Sequence, residues 1–288
     1  MTLALLPYEL TALAVAIPIG VACAVLSVFV VLRRMAFIGQ GVSHAGFGGI
    51  ALAVLLGHWI EAFNQPLPRY AVTGAFCVAA ALGMGLYARG KRVSEDSAIG
   101  IGLVVAMALG AVFLAIRVHV LHDERWVPSW DALLWGSLLG VSAADVATAY
   151  VLAVVVLAVV FGLYKELVSF TYDEAMARVE GLPVRALHVL LLVLLSVTIV
   201  LALRAVGFLL VSALLILPAA AANLLSRRFN RVMAWSVAVG LIGTVGGLLI
   251  SLTLLPDLPT GAAIVLTLWV VFTVVFAVNS LATAGKRR

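Results

Sequence analysis

The chain runs to 288 residues, of which 65% are hydrophobic and only 11% charged, and its mean hydropathy is +1.22. Soluble domains are roughly half apolar and a quarter charged, so this composition excludes a soluble enzyme and a nucleic-acid-binding module, whatever the net charge of +5 might suggest. At roughly 20 apolar residues per crossing, the length allows about eight to ten membrane helices in one domain, 1–288, and leaves no stretch for a soluble catalytic domain.

In chain order, apolar runs bounded by Pro, Gly and charge predict crossings at 8–32, 37–57, 70–88, 98–116, 143–164, 184–203, 206–225, 232–253 and 260–281. The expected fold class is therefore all-α, a polytopic membrane bundle of eight or nine helices. The first run lacks the basic flank and small-residue cleavage site of a signal peptide and reads as a retained helix. Segment 131–141 is too short to span and stays unassigned between an interfacial and a re-entrant helix. Placing Lys286, Arg287 and Arg288 in the cytoplasm and alternating backwards puts the N-terminus outside. Fourteen of the 18 Lys and Arg residues then fall inside, leaving Arg69, Arg117, Arg125 and Arg204 outside, the asymmetry expected of a multi-pass protein of the cytoplasmic membrane. Cys23 and Cys77 lie inside apolar runs without paired spacing, so they imply neither a disulfide nor a thiolate metal site. Gly136/Gly140 and Gly243/Gly247 repeat at four-residue spacing and read as close helix packing within the chain rather than as a dimer seam.

The most informative intramembrane stretch is 35–53, which places Gln40, Ser43 and His44 early in the second crossing. Gln40 and His44 are four apart and share one helix face. Polar groups at membrane depth face a bundle interior or a pathway, and imidazole is a good ligand for zinc, manganese, iron or copper, with an amide oxygen a weaker one. Two readings stand side by side: an interhelical hydrogen-bond pair, or ligands on a transport path. His119, His122, Asp123 and Glu124 cluster in an outside loop that could gather metal or simply be solvated, and His58 and His188, at crossing ends, receive no role.

Between the fifth and sixth crossings, 169–183 carries a short-helix signature over 172–180. Thr171 with Glu174 fits a capping box, Asp173 and Glu174 suit the positive helix end, and Gly181 with Pro183 stops it. Tyr172, Ala175, Met176 and Val179 recur at helical spacing, an apolar stripe for a partner's groove or for the protein's own helix ends and lipid headgroups. The Gly85–Lys91 stretch mimics a phosphate loop, but Arg92 stands where a magnesium-binding Ser or Thr is needed and no strand precedes it. With no catalytic motif present, the chain is expected not to be an enzyme, and any ATP-driven engine must be another chain.

Taken together, 35–53 with Ser43-His44-Ala45, 170–183, 205–220 and 257–266 resemble, in order and position, the permeases of the metal-type ABC importers that serve zinc, manganese and iron uptake. The resemblance implies a permease dimer with the path along its interface, two cytoplasmic ATPase subunits, and an extracytoplasmic binding protein delivering the metal. No cofactor is implied on this chain, the metal being cargo. It makes 172–180 resemble the coupling helix that docks on the ATPase, and it assigns His44 to a metal site at the dimer interface. Gln40 stands where the family usually has Asp, Phe47-Gly48-Gly49 where a Pro-Gly is frequent, and Asn223 where a basic residue is common. Losing a carboxylate weakens Coulomb attraction for a dication in a region of low dielectric. The competing class is an ion-coupled secondary transporter, which needs titratable groups at midplane; beyond His44 only Asp145, near an outer end, is a candidate.

Overall fold

The computed structural model describes residues 7–89, 94–123, 143–253 and 258–285. Among these residues nine helical stretches are long and apolar enough to cross a membrane, and no strand occurs. In chain order they are α1 (Pro7–Leu32), α2 (Ala36–Leu56), a 3-10 turn (Glu61–Asn64), α3 (Pro66–Arg89), α4 (Glu95–Ala115) running into a π turn (Ile116–Val120), α5 (Ala143–Gly162), α6 (Tyr164–Tyr172), α7 (Glu174–Val179), α8 (Val184–Leu214), α9 (Leu217–Leu225), α10 (Phe229–Thr253) and α11 (Thr260–Gly285). Segment 131–141, the Gly136/Gly140 pair and Glu124 lie outside the described residues.

Local chemistry sets the boundaries. Pro66 opens α3, where its missing N–H costs nothing, and the Ser94 hydroxyl caps α4 by accepting from the Ser97 N–H at 3.2 Å. The expected crossing at 206–225 is not one unbroken helix. Gly207 has φ 71 and ψ 166, a conformation essentially confined to glycine, so the chain bends there. It breaks again after Leu214, because Pro218 offers no N–H and its ring would crowd the Leu214 carbonyl one turn back.

One end of the bundle gathers the close of α1, both short helices and the start of α10: Phe229 lies 5.5 Å from Phe29, 5.7 Å from Tyr164 and 6.0 Å from Tyr172, centroid to centroid. Tyr164 also donates to Asn230 Oδ1, and burial, followed by the neighbouring Tyr172, pushes its phenol above the usual value. The opposite end gathers the close of α2, the π turn and the starts of α3 and α5, where the Tyr70 hydroxyl donates to buried Asp145 at 3.2 Å.

Within the bundle α2 lies against α3, α4 and α8, while α1 lies against α5, α8, α9 and α10. Lipid supplies no hydrophobic drive between helices, so close packing and buried polar contacts hold these seams. Ser27 and Ser236 are 3.0 Å apart across α1 and α10, and both hydroxyls reach the Ala24 carbonyl. A Cβ on Gly247 would come within 2.4 Å of the Ile264 Cα, so the Gly243/Gly247 spacing serves the α10–α11 seam inside this chain, as the sequence suggests. Cys23 and Cys77 are free and buried.

Candidate functional site

Gln40, Ser43 and His44 sit in the first half of α2, eight or fewer residues from its start at Ala36. Ser43 is buried and turns inward, its hydroxyl donating to the Gly39 carbonyl at 2.9 Å. Gln40 and His44 are half-buried and share a face with exposed Phe37. They are joined, but not through the amide: His44 Nδ1 lies 3.0 Å from the Gln40 backbone carbonyl. A carbonyl can only accept, so Nδ1 carries the proton and Nε2 of the neutral ring presents a lone pair, the state in which histidine ligates metal. The far side of the ring rests on Phe208, 4.9 Å between centroids at 52°. Phe208 is the residue after the Gly207 bend, so the bend in α8 brings an aromatic wall against the imidazole. Sequence reasoning placed 205–220 among its markers without assigning that wall; a glycine ahead of an aromatic residue in an apolar run was the available signal.

The glycines that follow fix how α2 is seated. A Cβ on Gly48 would meet the Ala106 carbonyl at 2.6 Å, and one on Gly49 the Thr73 Cα at 2.9 Å. Both contacts are with backbone, which cannot move aside cheaply, so α2 touches α4 and α3 main chain to main chain through these two positions.

The loop histidines behave differently from a metal cluster. Asp123 is drawn inside, 2.9 Å from His58 Nδ1 and 3.4 Å from Arg117 Nη2. Arg117 is buried as well and donates to the Val54 carbonyl. An inward carboxylate held by a guanidinium tethers α4 to the end of α2, which gives His58 a structural partner that its position at a crossing end did not announce. His119 and His122 remain exposed, and no group of three or more His, Cys, Asp or Glu side chains able to hold a metal ion exists among the described residues.

At the end of the bundle that holds the short helices, the expected capping box does not form. The preceding helix α6 continues to Tyr172, so Thr171 is buried in its last turn and its hydroxyl donates to the Leu167 carbonyl at 2.6 Å. The chain breaks at Asp173 (φ −147, ψ 100), whose carboxylate accepts from the Ala175 and Met176 N–H groups, both at 2.9 Å. The helix expected at 172–180 is thus α7, Glu174–Val179, one residue shorter than two turns. Gly181 at φ 82 closes it, with the Leu182 N–H reaching back to the Ala177 carbonyl. Tyr172, Met176 and Val179 are 58%, 53% and 81% exposed, Ala175 is exposed too, and Ala177 is the residue of α7 that is buried. Tyr172 leans on Phe229 at the start of α10, while Ala175, Met176 and Val179 stay exposed.

Comparison with known proteins decides the family. The ABC 3 transport family matches residues 6–279. The chain belongs to that family. It is 35% identical over 271 residues to the manganese transport system membrane protein MntC of Halalkalibacterium halodurans, covering 93% of this chain and 86% of that protein. It is 34% identical over 288 residues to the chelated iron transport system membrane protein YfeD of Yersinia pestis, covering 98% and 89%. Among solved structures it superposes on PsaBC from Streptococcus pneumoniae in complex with Fab with a TM-score of 0.80 at 28% identity, over 95% of this chain and 92% of that one. An inward-facing putative metal-chelate type ABC transporter shares the fold, with a TM-score of 0.65 at 17% identity. The resemblance to metal-type ABC importer permeases read from the four motifs is borne out, as is the all-α, multi-pass membrane architecture of this ABC 3 family chain.

Proposed function

We propose that this chain is the membrane-spanning subunit of an ATP-driven importer of a divalent transition metal (zinc, manganese or iron) and that His44 is its principal ligand. The observation that carries the reading is the His44 ring, its Nδ1 proton committed to the Gln40 carbonyl and its Nε2 lone pair on a half-buried face against Phe208, in a family whose relatives carry manganese and chelated iron. One imidazole cannot strip a dication of water. A second copy of the chain facing the first supplies two, with Gln40 as a neutral oxygen donor beside each. The site therefore belongs to a dimer interface, and the cargo passes along it.

The same reading makes α7 the docking element for an ATPase subunit. Tyr172, Ala175, Met176 and Val179 offer the apolar contact, Asp173 and Gly181 fix the two ends, and Glu174 anchors the helix to its own chain. An extracytoplasmic binding protein delivers the metal to the opposite end, the N-terminus lies outside and the C-terminus in the cytoplasm. ATP binding and hydrolysis in the partner subunits switch the His44 region between the two faces, and no covalent step occurs on this chain.

The test is accumulation of zinc, manganese and iron in vesicles holding the chain with its ATPase and binding protein. Uptake should require ATP and vanish in His44→Ala. Gln40→Asp should hold the resting ion more tightly and release it more slowly, because each copy gains a negative charge in a low-dielectric site. Normal uptake by His44→Ala would remove the site, and uptake that persists without ATP would remove the importer reading in favour of a secondary transporter.

A further inference from the structure

The cluster that anchors Glu174 lies where α1 turns into α2. The Arg33 guanidinium stacks 3.9 Å from the centroid of Phe170, its Nη1 donates to the Phe170 carbonyl at 3.1 Å, and its Nη2 pairs with Glu174 Oε2 at 2.8 Å. One planar group thus grips the last turn of α6 and the first residue of α7 together, a task suited to the rigid fork of arginine. The Arg33 side chain is 16% exposed, against 71% for Arg178, the second cation on Glu174 at 3.3 Å. The Arg33 pair is therefore far less screened by solvent.

On its other side Arg33 is joined to α2 without slack. Arg34 takes the left-handed conformation at φ 58, its N–H bonds the Val31 carbonyl, and the Met35 N–H bonds the Val30 carbonyl at 2.8 Å. Met35 is buried, and α2 begins at the next residue, with Gln40 and His44 in its early turns. Elsewhere α1 and α2 scarcely touch, so this elbow is where a pull on α7 that passes through α1 can reach α2, beside the path through α8, which follows α7 in the chain and also lies against α2.

We infer that Arg33 is the positioning residue that carries displacement of α7 into α2, and so couples the docking helix to the His44 site. The inference rests on the reading of α7 as the ATPase-docking element. Arg33 contacts neither cargo nor the exposed stripe of α7. Its loss uncouples the two without removing either.

The experiment uses the whole complex in proteoliposomes, with manganese as the ion, and measures uptake and ATP hydrolysis in the same vesicles. Arg33→Ala should lower ions moved per ATP by about fivefold or more, the range of a typical coupling free energy, while ATPase recovery and hydrolysis stay near wild type. Arg33→Gln, which keeps a donor for the Phe170 carbonyl, should give the same loss, and its recovery from the membrane separates uncoupling from misfolding. Arg33→Lys keeps the charge without the fork and should recover part of the ratio. A wild-type ratio in Arg33→Ala and Arg33→Gln would overturn the inference, as would uptake and hydrolysis falling in parallel. Failure of the α7 reading looks different: the ATPase would co-purify and couple normally even when Met176 is replaced by Asp. Absence of ATP-dependent uptake in the wild type would remove the importer reading and this inference with it.

Discussion

At the residue scale, the proposed site and backbone strain meet at Gly207. Its backbone angles, φ 71 and ψ 166, are closed to residues with a Cβ, and Phe208 reaches His44 through that bend. Gly207→Ala should therefore cost about 1–3 kcal/mol, read as a lower thermal midpoint in detergent, and should lower uptake more than an alanine elsewhere in α8. An unchanged midpoint and uptake would mean that the bend is not needed. In the sequence His44 stands out as an imidazole within an apolar run, but that pattern leaves a hydrogen-bond pair and a ligand side by side, and the family resemblance is what assigns it to a metal site. Its state is not legible there: the commitment of Nδ1 to the Gln40 carbonyl depends on helix geometry, and the Phe208 wall on a glycine conformation 163 positions away in the chain.

At the scale of elements, periodicity and hydropathy located the crossings to within a few residues, since a 20-residue apolar run admits few alternatives in lipid. The short helices were harder. Thr171 and Glu174 satisfy a capping box on paper, yet α6 runs past Thr171 and Asp173 takes the cap. Which polar residue caps a helix depends on where the preceding helix stops, and that was settled by burial of Leu167, Phe170 and Thr171 in the bundle. The apolar stripe survives this shift, and its exposure agrees with a partner surface. Met176→Asp puts a charge at its centre and should weaken ATPase association by roughly 2 kcal/mol, the scale of an interface hot spot, seen as loss of the ATPase on co-purification. Retention of the ATPase by this variant would place the docking surface elsewhere.

At the scale of the whole molecule, α2, α3 and α4 form one body and α1, α9, α10 and α11 another, with α8 touching both. A reciprocating transporter built on this chain would move the first body against the second about the α1–α2 elbow. The proposed orientation is open to direct labelling, because the native Cys23 and Cys77 are buried and should stay silent. A cysteine added after Gly285 should react with a membrane-impermeant maleimide only once cells are opened, and one added before Pro7 should react in intact cells. The reverse pattern would invert the assignment of every loop.

The backbone seam at Gly48 and Gly49 has a further consequence for how such a chain can diverge. Gly48 and Gly49, which face α4 and α3, have no room for a new side chain, whereas exposed Phe37 and half-buried Gln40 and His44 lie on a face that is only partly covered. Position 40 can therefore exchange amide for carboxylate without disturbing the scaffold, and under the proposed metal site preference among metals becomes an evolutionary dial turned by single substitutions on one narrow strip.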